Sequence, residues 1–360
     1  MSHAPTALQD RKTPPSAPRG TSLSSRTLPR WAPLGFAAVA IALGVGTGLA
    51  AGLHSRIQWG LLSALLFVVI SYIATTVVEN QRQAKDRLAT SVVWVCFLIA
   101  VVPLVSLIWT TASRGMERLD LHFLTHSMNG VLGAEHTGGV YHALIGTLEQ
   151  VGIATVISAP IGLLTAVYLV EYGKGALARA VTFFVDVMTG IPSIVAGLFI
   201  LSIMLIVGIE SSGLMGSLAL TILMVPVVVR STEEMLKLVP NELREASLAL
   251  GIPKWRTILK VVLPTAIGGI TTGVMLAIAR VAGETAPIIL VVFGSQQINA
   301  NPFEGDQSSL PFYIYEQYKV GEVASYDRAW AAALVLIAFV MILNLVARGI
   351  ARWKAPKTGR

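Results

Sequence analysis

One arginine stands deep inside an apolar run of this chain. Arg280 follows more than two helical turns of apolar and small residues, and Glu284 comes four positions later. A charged side chain at the middle of a bilayer costs about 2.5–3.5 kcal/mol on insertion scales, so a charge that persists there is expected to line a pathway. If the run is helical, positions i and i+4 share a face, and Arg280 and Glu284 would meet. An ion pair pinning two helices is the structural alternative. Arginine before glutamate is the weaker order for simple helix support, which favours the functional reading. A guanidinium offers a planar fork of donors suited to tetrahedral oxyanions. A carboxylate beside it suits an anion that still carries a proton. Hydrogen phosphate can donate to Glu284, whereas sulfate, fully deprotonated at neutral pH, would be repelled. The adjacent Thr285 is a further polar candidate for the same path.

The elements that must carry these residues follow from composition. The chain is 54% hydrophobic and 13% charged, and soluble domains carry about 25% charged residues. Several apolar runs exceed the roughly 20 residues needed to cross a bilayer as a helix. They are continuous rather than alternating, so helices are expected and not a barrel. The expected fold is an all-α integral membrane bundle of eight spans, at about 32–53, 57–78, 88–109, 141–169, 181–209, 214–229, 266–293 and 330–346. Residues 1–30 are rich in Pro, Ser and Arg and are expected to form a disordered cytoplasmic tail. The expected divisions are that tail, two additional N-terminal spans within 31–87, a transport core over 88–352, and a short cytoplasmic tail at 353–360.

Charge supports the count. With the N-terminus inside and the spans alternating, most of the 27 Lys and Arg residues fall on the cytoplasmic side, in the tail and in the segments 82–87, 174–179, 230–260 and 348–360. Only Arg56, Arg114, Arg118, Lys319 and Arg328 are then placed outside. That asymmetry is the positive-inside pattern, and it puts both termini in the cytoplasm. A net charge of +7 in such a chain reflects cationic inner loops rather than nucleic-acid binding. The lone Cys96 excludes an intrachain disulfide.

The inner segment 230–265 reads as helical. Pro240 interrupts the preceding helix and Asn241 suits an N-cap. Leu243, Ala246, Ser247 and Leu250 fall on one face, with Glu242, Arg244 and Glu245 away from it. Gly251 suits a helix stop, and Pro253 suits the first turn of a second helix, which is expected to end near Leu263 and Pro264. Pattern alone fits an amphipathic surface loop and a docking element equally well.

The spacing here resembles a known motif. Glu245-Ala246-Ser247, three residues, Gly251, nine residues and Val261-Val262-Leu263-Pro264 are similar to the EAA loop of ABC importer permeases. Ser247 and Val261 depart from it conservatively, standing for Ala and Ile. The string Ala279-Arg280-Val281-Ala282-Gly283-Glu284-Thr285-Ala286-Pro287, with segments 186–195 and 230–236, resembles the PstA-type phosphate permeases. The resemblance covers roughly residues 141–352. It implies a transport subunit rather than an enzyme, with no catalytic residue and no metal. It also implies a PstC-like second permease, a dimer of ATPase subunits, an extracytoplasmic phosphate-binding protein and a bacterial cell membrane. The 245–264 loop would be the element that docks on the ATPase. The sequence contains no G-x-x-x-x-G-K-[ST] loop, so ATP and its magnesium would sit on the partner. A permease for sulfate or molybdate, or an ion-driven secondary transporter, are the alternatives.

Further candidates carry two readings each. Arg230, at the cytoplasmic end of its span, fits an exit gate or a snorkelling anchor. Glu149 and Gln150 fit the mouth of a path or contact with a neighbouring helix, the latter being favoured, and Asp186 is undecided. Pro192 after Gly190 is expected to kink its span. His122, His126, His136 and His142 show no metal-ligand spacing and read as a solvated outer segment.

Overall fold

In the computed structural model, residues 28–354 are described. The disordered-tail expectation therefore falls almost wholly outside the described residues, as do the last residues of the C-terminal tail. Among the described residues the chain is helical, with one isolated bridge between Phe293 and Gln307. Seven helices among the described residues are long and apolar enough to cross a membrane, or eight if one sharply bent pair counts as a span.

The chain divides into two compact units, residues 1–106 and 107–360. The first holds α1 (Ala32–Ala50), α2 (Arg56–Val78) and the opening part of α3 (Gln81–Arg118). Helices α1 and α2 form a close hairpin in which Gly44 faces Ser63 and Gly48 faces Trp59. Small residues let the backbones approach, the usual basis of helix pairing in lipid. At the hairpin's base, the buried Glu79 carboxylate accepts from Arg87 at 2.8 Å and from the Leu28 backbone N–H at 2.6 Å.

The second unit continues with α4 (Leu121–Thr125), α5 (Tyr141–Val167), α6 (Gly175–Gly190), α7 (Ser193–Val207), α8 (Gly213–Lys237) and α9 (Asn241–Ala249). It ends with α10 (Lys254–Thr257), α11 (Leu263–Val281), α12 (Ala286–Val291), α13 (Leu310–Val320) and α14 (Val323–Lys354). Helix α8 is its spine. The most apolar window of α8 is 61% buried, against 22% for that of α5, so α8 is covered by protein over most of a length where α5 leaves apolar surface uncovered. The central core joins Val151, Leu220, Met224, Ile278, Ile288 and Val292 from α5, α8, α11, α12 and the residue that follows α12.

Two expected spans are not single helices. The run at 181–209 breaks at Ile191–Pro192, and α6 and α7 diverge by 106°. Pro192 cannot donate to the helix ladder and Gly190 precedes it, so the anticipated kink is a full break. The run at 266–293 ends its helix at Val281 and resumes only at Ala286. Conversely, the second cytoplasmic helix does not stop at Leu263-Pro264. It passes through a π turn at Ile258–Val262 into α11, so Pro264 sits in the first turn of a continuing helix.

The segment after α12, expected to be an outer loop, is partly built into the bundle. Gln307, Ser308 and Ser309 are buried. A side chain at Gly146 would collide with the Ser308 carbonyl, and one at Gly213 with the Gln307 amide, so these two glycines admit the strap between α5 and α8.

Candidate functional site

Arg280 occupies the last turn of α11, where a cation complements the helix dipole. Its side chain is exposed on the chain surface, and among the described residues it has no hydrogen-bond or ion-pair partner. Beyond Val281 the backbone turns: the Gly283 N–H donates to the Arg280 carbonyl at 3.3 Å and the Glu284 N–H to the Val281 carbonyl at 3.1 Å. Glu284 therefore lies in the break and not one helical turn above Arg280, which corrects the shared-face expectation. Gly283 is the residue that signals the break. Glu284 and Thr285 are half-buried, and Thr285 stands at the N-cap of α12. Helix α7 packs on α12, with Gly197 against the Pro287 backbone, so the second halves of both broken helices support one another. Irregular backbone at membrane depth is tolerated where protein or a polar cavity surrounds it.

At the end of α8 nearest α9, Arg230 bridges two helices. It donates to Asp186 on α6, and to Glu233 on its own helix at 2.7 Å. Lys237 also donates to Glu233, at 2.6 Å. Arg230 is thus paired with two carboxylates, and its contact with Asp186 ties α6 to α8.

The loop around α9 is held from both limbs. Pro240, not Asn241, occupies the N-cap, and the Asn241 side chain accepts from Arg244 at 3.2 Å. Arg244 does not face solvent as the pattern implied. It reaches back to the Leu236 carbonyl at 2.9 Å, the Val239 carbonyl at 2.5 Å and Glu171 at 3.0 Å. Glu171 lies in a π turn, Tyr168–Tyr172, that extends α5. On the other limb, Lys254 donates to the Glu171 carbonyl and lies 4.8 Å from the centre of the Tyr172 ring. The two limbs are joined by a 2.8 Å hydrogen bond between the buried hydroxyls of Ser247 and Thr257. Ser247, one of the two departures from the motif, thus supplies a contact that alanine could not.

Gly251 has φ +75°, and the Ile252 N–H returns to the Ser247 carbonyl at 3.3 Å, so the anticipated glycine stop closes α9. Glu245 and Ala246 are exposed, as are Leu243, Leu248 and Leu250, the last by 80%. Only Ser247 on α9 is buried. Of the face carrying Leu243, Ala246, Ser247 and Leu250, all but Ser247 is free. Leu263 and Pro264 open α11 just past the π turn.

At the opposite end, Gln150 is fully buried and donates to Gln307 at 3.0 Å, while Gln307 donates to Glu149 and to the Asn299 carbonyl at 3.1 Å. The Glu149 and Gln150 side chains both bond the inserted strap, and Gln150 also lies beside Gly216 of the neighbouring α8. His122 and His126 are exposed and stacked at 3.8 Å, whereas His142 is buried against Tyr313. The solvated reading fails for His142 alone. No group of three or more metal-ligating side chains occurs among the described residues.

The family of binding-protein-dependent transport system inner membrane components matches residues 158–360. The chain belongs to that family. A phosphate transport system permease protein, PstA 1, of Mycobacterium tuberculosis strain H37Rv is 50% identical over 269 residues, covering 74% of this chain and 87% of that protein. A PstA permease protein of Pasteurella multocida is 36% identical over 269 residues, covering 74% and 94%. Among solved structures, an inward-facing MetNI methionine ABC transporter aligns with 61% of this chain and 95% of that one, at 24% identity and a TM-score of 0.47. This permease is a membrane-embedded transport component, not an enzyme, and the ion-driven secondary transporter is set aside.

Proposed function

We propose that this chain is one half of the membrane pore of an ATP-driven phosphate importer. Arg280 carries the reading: a guanidinium exposed on the chain surface, at a break in an apolar helix, with its donors unused. The names of the relatives support phosphate as cargo. Arg280 would hold the anion through two parallel charge-assisted hydrogen bonds. Glu284 and Thr285, in the break, would meet its remaining oxygens, Glu284 accepting from the protonated one. Arg230, tied to Asp186 and Glu233, would act at the inner end of the same path by fixing α6 against α8 rather than by binding cargo.

The EAA-type loop is assigned to coupling. Its exposed Leu243, Leu248 and Leu250, with Glu245 and Ala246, offer a docking face to an ATPase subunit, which carries ATP and magnesium. Gly251, Leu263 and Pro264 shape the turn and its entry into α11. Movement of α9 would pass to α8 through the Leu236 and Val239 carbonyls and to α5 through Glu171. Such a fastened element transmits a rigid-body displacement. The loop end faces the cytoplasm with both termini, and the opposite face receives an extracytoplasmic phosphate-binding protein. A PstC-like permease supplies the other half of the pore.

The test is uptake by the reconstituted complex. Labelled phosphate should accumulate only with ATP and binding protein together, and labelled sulfate should not. Basal flux without the binding protein isolates the permease's own preference, and Glu284→Gln should narrow the phosphate-over-sulfate ratio there. Equal basal flux of both anions through the unsubstituted complex would refute the assigned selectivity.

A further inference from the structure

A cavity of about 190 Å³ lies between α5, α13 and the segment after α12, at the end of the bundle opposite α9. Its lining includes His142, Gln296, Tyr313, Glu316, Gln317 and Lys319. Two of these polar groups are buried without partners among the described residues: the Tyr313 hydroxyl and His142 Nδ1. Tyr313 is 1% exposed and His142 3%. Orphaned buried polar atoms are uncommon in folded proteins and point to an occupant.

The charges around the cavity select the kind of occupant. Arg328, expected from the sequence to be a charge in the outer segment, is fully buried behind it. It donates to Gln317 Oε1 at 2.8 Å and to the Gly133 carbonyl at 2.7 Å, and among the described residues it has no carboxylate partner. Its commitment to Gln317 Oε1 leaves that side chain's NH₂ group as a spare donor. Lys319 is exposed at the rim, over the Tyr315 ring at 5.3 Å. Burial holds the Tyr313 hydroxyl above the usual tyrosine range, against the smaller opposing pull of Arg328 and Arg118, so the phenol keeps its proton and can donate. The one carboxyl in the lining, Glu316, has its pKa raised by burial, with Lys319 opposing the rise. The site thus gathers the donors of Tyr313, Gln317 and Lys319, with the buried Arg328 guanidinium bonded to Gln317.

We propose that this cavity is a second anion site, taking a small tetrahedral oxyanion such as hydrogen phosphate, separate from the path through Arg280. Tyr313 Oη, the Gln317 NH₂ and Lys319 Nζ are the donors. A water needs about 10–15 Å³ of such space, so the cavity has room for a four-oxygen anion with attendant waters.

The test uses the reconstituted complex without ATP or binding protein. Val320 lines the same cavity, and Val320→Cys with Cys96→Ala provides a local thiol. Phosphate should slow its modification by a hydrophilic maleimide saturably, and sodium chloride at equal ionic strength should not. Tyr313→Phe removes one donor to a charged group and should raise the half-protecting concentration by about tenfold or more. Lys319→Gln, at the exposed rim, should do likewise and decides the matter if Tyr313→Phe alters labelling without phosphate. Arg280→Ala should leave protection unchanged. Absence of protection, protection indifferent to Tyr313→Phe and Lys319→Gln, or protection abolished by Arg280→Ala would each overturn the proposal. The last two outcomes leave phosphate transport itself untouched.

Discussion

Arg244 is the fastener of the coupling loop, and removing it should loosen α9 without unfolding the bundle. The side chain is 16% exposed and its partner Glu171 only 6%. Arg244→Met keeps the aliphatic stem and deletes the bonds to Glu171 and to the Leu236 and Val239 carbonyls. Breaking a buried charge pair costs about 3–5 kcal/mol, and the exposed part of Arg244 lets water recover some of that. A local loss of about 3 kcal/mol follows, or roughly a hundredfold in the opening equilibrium of α9. Amide hydrogen exchange over 241–252 in the intact complex reads this directly. Exchange should quicken by about that factor, while α8 before Leu236 keeps its protection. ATP-driven uptake should fall more than ATP hydrolysis does. Glu171→Gln combined with Arg244→Met should cost less than the sum of the single changes, because the two share one interaction. Exchange within a few-fold of the parent protein, with normal uptake, would refute the anchoring role.

Three further outcomes follow from named contacts. Gly251→Val forces a β-branched residue into φ +75°, at a cost of about 1–2 kcal/mol or more; uptake and ATPase pull-down from detergent should both be lost while membrane insertion persists. Glu316 has its pKa raised by burial, so the folded protein favours its protonated form and loses that contribution as pH rises through the raised value. Glu316→Gln should therefore raise the melting temperature at neutral pH, and the gain should vanish below the ordinary glutamate pKa. With Cys96 replaced, a cysteine substituted for Glu304 should react with an impermeant thiol reagent from outside intact cells, and one substituted for Lys254 should not; the reverse pattern would invert the topology.

Much of the scaffold was legible because span-forming apolar runs are local. Hydropathy located seven membrane-length helices and the bent pair of α6 and α7, yet it records neither direction nor continuity. The 106° divergence of α6 from α7 was visible only as Gly190 and Pro192. The break after Val281 was hidden because apolar residues resume at Ala286, so an i,i+4 pairing was assumed across a turn. Gly251 was readable as a stop because a positive φ has a residue-level mark. The anchoring by Arg244 was not legible because its partners Glu171 and Leu236 lie on other elements, beyond the reach of a one-helix pattern. The burial of Gln307 depends on gaps at Gly146 and Gly213, and that of Arg328 on carbonyls near Gly133. These are pairings of distant segments, with no local trace. The EAA-type spacing found the loop, but the free state of Leu243 and Leu250 emerged only from the packing.

Arg280 tests the central claim most directly. In the reconstituted complex, Arg280→Lys keeps the positive charge but loses the planar fork, so phosphate uptake dependent on ATP and binding protein should be impaired. Arg280→Ala should impair it further. Both variants should still assemble with the ATPase, because α9 and its anchors are untouched. Ordinary phosphate uptake by Arg280→Ala, still coupled to ATP, would contradict the assignment of Arg280 to the translocation path.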